Sequence, residues 1–122
     1  MVTILLTDTD PEIEALVHDA EAMCHEAGIG VIVHYKGEDL DEILEMADSK
    51  LIAFSPRGRL SLDEMVAKYG DDALLVIGGF TEDMEFKSPI YNRADDTVSL
   101  GKEFLEIPEV IDRIIIAYKK RQ

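Results

Sequence analysis

The chain has 122 residues, with 12 Lys or Arg against 26 Asp or Glu, so its formal net charge is −14. That length suits one domain spanning residues 1–122, and 47% hydrophobic with 31% charged residues excludes a disordered chain. Acidity on this scale disfavours nucleic acid, since affinity for phosphate backbones comes from Lys and Arg displacing counterions. The single Cys24 excludes an intrachain disulfide framework. No apolar run reaches the roughly 18 residues of a membrane span, so the expected location is the cytoplasm with no membrane contact.

The first element is the apolar run Val2–Leu6, ending in Thr7-Asp8. Short continuous runs of this kind suit strands buried on both faces. Asp10 before Pro11 reads as an N-cap with proline at the first helical position. Ile13, Leu16, Val17, Ala20, Met23 and Ala27 follow at helical spacing, and Gly28 is the stop. Ile29–Tyr35 is a second strand. Asp39 and Glu42 open a short helix lined by Leu40, Ile43, Leu44 and Ala47. Leu51–Phe54 is a third strand, closed by Ser55-Pro56-Arg57-Gly58.

Ser61-Leu62-Asp63-Glu64 is a capping box, ahead of a helix with Met65, Val66 and Tyr69 inward and Gly70 at its end. Ala73–Ile77 is a fourth strand running into Gly78-Gly79-Phe80. Residues 81–96 are polar and irregular, and Thr97–Gly101 is a fifth strand. Pro108 opens a last helix with a stripe of Val110, Ile111, Ile114, Ile115 and Tyr118. The order predicts an α/β domain with a mainly parallel five-stranded sheet and helices on both faces. Ligands in such sheets sit beyond the carboxyl ends of the strands. That points to residues 7–10, 55–59, 78–83 and 99–105.

Asp8-Thr9-Asp10 after the first strand has the form of the Mg²⁺-dependent phosphatases that use a strand followed by Asp-x-Asp. That chemistry also needs a Lys and a second acidic pair at later strand ends, where Ser55 and Gly78-Gly79 stand instead. His18, His25 and His34 lack the spacing of a metal site and read as surface residues, so no metal is expected. Cys24 reads as a core or half-buried residue with no base beside it. The basic residues Arg113, Lys119, Lys120 and Arg121 suit the negative end of the last helix. Gly78-Gly79 at a strand end lets a backbone approach a ligand closely or turn tightly. It does not open a helix, so a standard dinucleotide site is not supported.

Val76-Ile77-Gly78-Gly79-Phe80, followed by Val98-Ser99-Leu100 and then Leu105 before a hydrophobic helix, resembles the EMG family. These are SPOUT (α/β-knot) methyltransferases that methylate N1 of a pseudouridine in small-subunit rRNA during ribosome biogenesis. The resemblance runs roughly from Leu51 to Tyr118. It implies a C-terminal trefoil knot, a homodimer, and S-adenosylmethionine held by Gly78, Gly79, Phe80, Val98, Ser99, Leu100 and Leu105. For a catalytic chain the candidate helpers are Arg57 and Arg59 on the substrate side, with Asp8 or Asp10 as a base. Some family features differ here. Thr81-Glu82-Asp83 stands where the family has Pro and a further Gly, and Asp10-Pro11-Glu12 is the nearest match to its Arg-Pro-Asp-x-x-His motif. The Arg-rich insert that binds rRNA gives way to the acidic segment 38–48. Alternatives are a non-catalytic knotted dimer whose acidic face binds a basic protein, and a Mg²⁺-dependent phosphatase using Asp8 and Asp10.

Overall fold

The computed structural model describes residues 2–9, 11–35, 37, 39–45, 48–54, 58–77, 93–100 and 107–121. Five strands form one sheet: β1 (Thr3–Thr9), β2 (Gly30–Tyr35), β3 (Lys50–Phe54), β4 (Ala73–Ile77) and β5 (Asp96–Val98). Their order is β2-β1-β4-β3-β5, and every described pair is parallel. All carboxyl ends therefore lie on one side of the sheet. The helices are α1 (Glu14–Ala27), α2 (Leu40–Glu45), α3 (Leu62–Tyr69) and α4 (Ile107–Arg121).

Alternation along the strands divides the apolar runs between two cores. Ile4, Leu6, Ile52, Leu75, Ile77 and Val98 face one side. There they meet Val17, Ala20 and Cys24 of α1, Met65 and Val66 of α3, and Ile111 and Ile114 of α4. Leu5, Leu51, Ala53, Leu74 and Val76 face the other side, against Leu44 of α2. Helices thus cover both faces, as the sequence predicts, but unequally: three on one, a single short one among the described residues on the other. The central β4 is buried along its whole length, which is why its sequence shows no alternation.

The Ser61 box forms in full: the Glu64 N–H donates to Ser61 Oγ at 3.1 Å, and the Ser61 N–H donates to Glu64 Oε1 at 3.0 Å. Ser61→Ala is expected to lower unfolding stability by about 1 kcal/mol, read by urea denaturation. An unchanged midpoint would mean that packing alone holds α3. Asp39 caps α2 as expected, its Oδ1 accepting from the N–H of Asp41 at 3.0 Å. Gly28 ends α1 in the left-handed region with φ 72°.

Several sequence expectations need correction. β1 continues through Asp8 to Thr9, because the Thr7 and Thr9 hydroxyls donate to the carbonyls of Ile77 and His34 and let polar residues stay buried in the strand. A 3₁₀ turn (Pro11–Ile13) precedes α1, whose N-cap position is Ile13 without a side-chain cap; Asp10 lies outside the described residues. β5 begins at Asp96 and ends at Val98, displaced toward the amino end by the anchoring of Asp96 described below. His34 is only 2% exposed, not a surface residue, because its place in β2 turns it inward. Cys24, by contrast, lies in the core as expected, and burial pushes its thiol up to about 11.

Candidate functional site

The carboxyl ends of β3 and β5 carry an unusual backbone arrangement. Phe54 pairs with Val98 on one side of β5. Leu60, six residues after Phe54, makes a parallel bridge to the same Val98. The Leu60 N–H donates to the Thr97 carbonyl at 3.0 Å, and the Ser99 N–H donates to the Leu60 carbonyl at 2.9 Å. The Arg59 N–H donates to Thr97 Oγ1 at 3.0 Å. The chain leaving β3 therefore reaches both sides of Val98. Gly58 lies so close that a Cβ there would overlap backbone atoms of Val98 and Ser99; only glycine fits without displacing β5.

Asp96 organises this edge. Its carboxylate is 1% exposed and accepts from Arg59 Nε at 3.1 Å and the Thr97 N–H at 3.0 Å on Oδ1. On Oδ2 it accepts from Arg59 Nη2 at 2.6 Å, Lys68 Nζ at 3.1 Å and the Tyr69 hydroxyl at 2.8 Å. The Arg59 fork is bidentate, the geometry that gives such pairs their strength and direction. Arg59, opposed by burial and reinforced by Tyr69, Thr97 and Lys68, holds the Asp96 carboxyl well below the usual carboxylate range. The same contact raises Arg59 and Lys68 above their ordinary values. Across the segment, Arg113 Nη1 of α4 donates to the Leu100 carbonyl at 3.3 Å, so this arginine reaches back to the strand end instead of complementing the terminus of its helix.

Of the residues expected at the cofactor, Val98, Ser99 and Leu100 lie together here. Val98 is buried, while Ser99 and Leu100 are half-buried. The end of β4 lies on the same side with β3 between, two strand spacings away, about 10 Å. Gly78, Gly79, Phe80, Leu105, Arg57 and Asp10 lie outside the described residues, as does the side chain of Asp8. Arg59 is at the site, but its guanidinium is engaged by Asp96. Sequence reasoning misses Asp96, Thr97, Lys68, Tyr69 and Gly58. The one sequence hint is an aspartate leading into a strand, where its propensity is poor. Among the described residues no group of three or more His, Cys, Asp or Glu side chains converges as a metal site. No helix among them is long and apolar enough to cross a membrane.

Among the described residues at this end, the Asp96 carboxylate and the Arg59 guanidinium are paired with each other. The half-buried Phe54, Ser99 and Leu100, with the backbone beside the buried Val98, suit an uncharged heterocycle recognised by shape and main-chain hydrogen bonds.

No known family profile matches the chain. A curated relative, ribosomal RNA small subunit methyltransferase Nep1 of Methanothrix thermoacetophila, is 33% identical over 90 residues. The match covers 73% of this chain and 39% of that protein, so the chain spans about two-fifths of its relative's length. Among solved structures, a Bacillus anthracis protein proposed to be an RNA methyltransferase superposes with a TM-score of 0.76 at 13% identity, over 100% of this chain and 94% of that one. The SpoU methyltransferase AviRb of Streptomyces viridochromogenes, in complex with AdoMet, gives 0.70 at 13% identity over 99% and 57%. At that identity the structural likenesses are of fold.

Proposed function

We propose, from the premise that this chain is a short and divergent relative of the EMG methyltransferases on the SPOUT fold, that it binds S-adenosylmethionine at the carboxyl ends of β4 and β5 and transfers its methyl group. The observation that supports the reading is that Val98–Leu100 and the end of β4 lie at the same carboxyl edge of the sheet, on either side of β3. Gly78, Gly79 and Phe80 follow β4 directly in sequence. In this reading those three residues, with Val98, Ser99, Leu100 and Leu105, hold the cofactor. The trefoil knot of the family, a homodimer and a role in ribosome biogenesis belong to the same reading.

Bound S-adenosylmethionine supplies a methyl group on a sulfonium. The protein's part is then mostly positioning, with the acceptor atom held in line about 3 Å away. Arg57 would face the acceptor, with Asp8 or Asp10 as the base. The net charge of −14 favours a cationic acceptor, or a basic partner protein, over a bare phosphate backbone. An acidic surface used only for docking is the second reading, and the same charge supports it.

Calorimetric titration with S-adenosylmethionine tests the proposal. Saturable heat with a dissociation constant in the micromolar range is expected, with a rise in melting temperature at excess cofactor. Transfer of labelled methyl to total RNA or to ribosomal proteins then identifies the acceptor class. Absence of both heat and melting shift at millimolar cofactor would rule the reading out in favour of docking.

A further inference from the structure

Asp96 does more than a buried carboxylate needs for its own neutralisation. Lys68 Nζ and the Tyr69 hydroxyl both reach Oδ2 from the end of α3, and the Thr97 N–H satisfies Oδ1. Lys68 and Tyr69 tie β5 to α3, while the Thr97 bond stays within β5. The Arg59 fork adds something different in kind, because it belongs to the 58–61 segment. That segment meets β5 through three backbone-donated hydrogen bonds, from Arg59, Leu60 and Ser99. Its side chains Arg59 and Ser61 are exposed, and Leu60 is half-buried. Apolar burial alone therefore fixes it weakly, and a two-pronged ion pair fixes both distance and orientation where a point charge would fix one.

The consequence falls on Ser99. Its N–H is donated to Leu60, so the position of the 58–61 segment decides which way the backbone after Val98 turns. Arg113 of α4 holds the carbonyl of the next residue, Leu100. The strand end assigned to the cofactor is thus held by Leu60 of the 58–61 segment and by Arg113 of α4.

We propose that Asp96 is a positioning residue for cofactor binding: through the Arg59 fork it sets the 58–61 segment against Thr97–Ser99 and so shapes the backbone that seats the adenosyl group. This rests on the cofactor reading above and reassigns Arg59 from substrate contact to positioning.

The test compares Arg59→Gln with Tyr69→Phe. Both remove a donor from the same carboxylate, but only the first releases the 58–61 segment. S-adenosylmethionine dissociation constants are measured by calorimetry well below the melting temperature, with amide exchange followed at Leu60 and Ser99. Arg59→Gln is expected to weaken the cofactor by about tenfold and to speed exchange at both amides. Tyr69→Phe is expected to lower the melting temperature with affinity within about twofold of the parent. Arg59→Lys, which keeps the charge and loses the fork, should stay near Arg59→Gln. Equal affinities in all variants, weakening that follows melting temperature alone, or full rescue by lysine would each overturn the proposal. A parent protein that binds no cofactor would instead remove the reading on which it stands.

Discussion

Replacing Gly58 by alanine is expected to cost about 3 kcal/mol, toward the upper end for a single substitution, and to abolish cofactor binding. A Cβ at this position overlaps the backbone of Val98 and Ser99, and backbone cannot swing aside as a long side chain can. Either the 58–61 segment or β5 must move. Each way the Leu60–Thr97 and Ser99–Leu60 hydrogen bonds are lost, and the fully buried Val98 is displaced from the core. Gly28→Ala is the informative comparison. Gly28 has a φ of 72° with open space around its Cβ position, so its cost is conformational strain alone, about 1 kcal/mol. Urea denaturation of the two variants separates lack of space from lack of conformational freedom. Equal costs would show that the approach of residue 58 to β5 is looser than the structure has it.

Asp96→Asn is expected to flatten the acid limb of the stability profile and to cost about 2 kcal/mol at neutral pH. The amide keeps the shape of the carboxylate but turns an N–H toward donors, so at least one of Arg59, Lys68 and Tyr69 loses its acceptor. Arg59 and Lys68 are 66% and 50% exposed and regain water, which keeps the loss moderate. The carboxyl group is held below its ordinary value of 3.8 in the folded chain. The unfolded chain therefore takes up this proton first as pH falls. The stability due to ionised Asp96 is complete above that ordinary value and declines as the solution is acidified through and below it. Parent and variant should differ most above pH 5 or so and converge in strong acid. Glu64, held low by its Ser61 contacts, acts in the same direction but is present in both proteins and cancels in the difference. A pH-independent gap between the two denaturation series would show that the Asp96 contribution is packing and not charge.

The α/β class, the parallel sheet, the capping box at Ser61 and the whole of β4 are legible in the chain because each rests on neighbours in sequence. A five-residue apolar run bounded by turns, a serine three residues before a glutamate, and a glycine after a periodic stripe each carry their own local energetics. His34 shows where that logic fails: a lone histidine in a strand is buried or exposed according to what packs on its face, which its neighbours do not state. The family resemblance marked Val98, Ser99 and Leu100, and the fold places them together at the carboxyl edge of the sheet, with β3 between them and β4.

Asp96, Gly58 and the role proposed for Arg59 rest on the tertiary structure alone. The Asp96 carboxylate meets Arg59 across 37 residues, and Lys68 and Tyr69 across 28 and 27. No spacing rule links such positions, because the strand order β1-β4-β3-β5 that unites them is set by how apolar faces are buried, not by sequence adjacency. Local propensity thus determined which segments become strands and helices. The placement of a saturated buried carboxylate, and of a glycine that must carry no side chain against β5, was decided only when the folded sheet put distant backbone within hydrogen-bond reach.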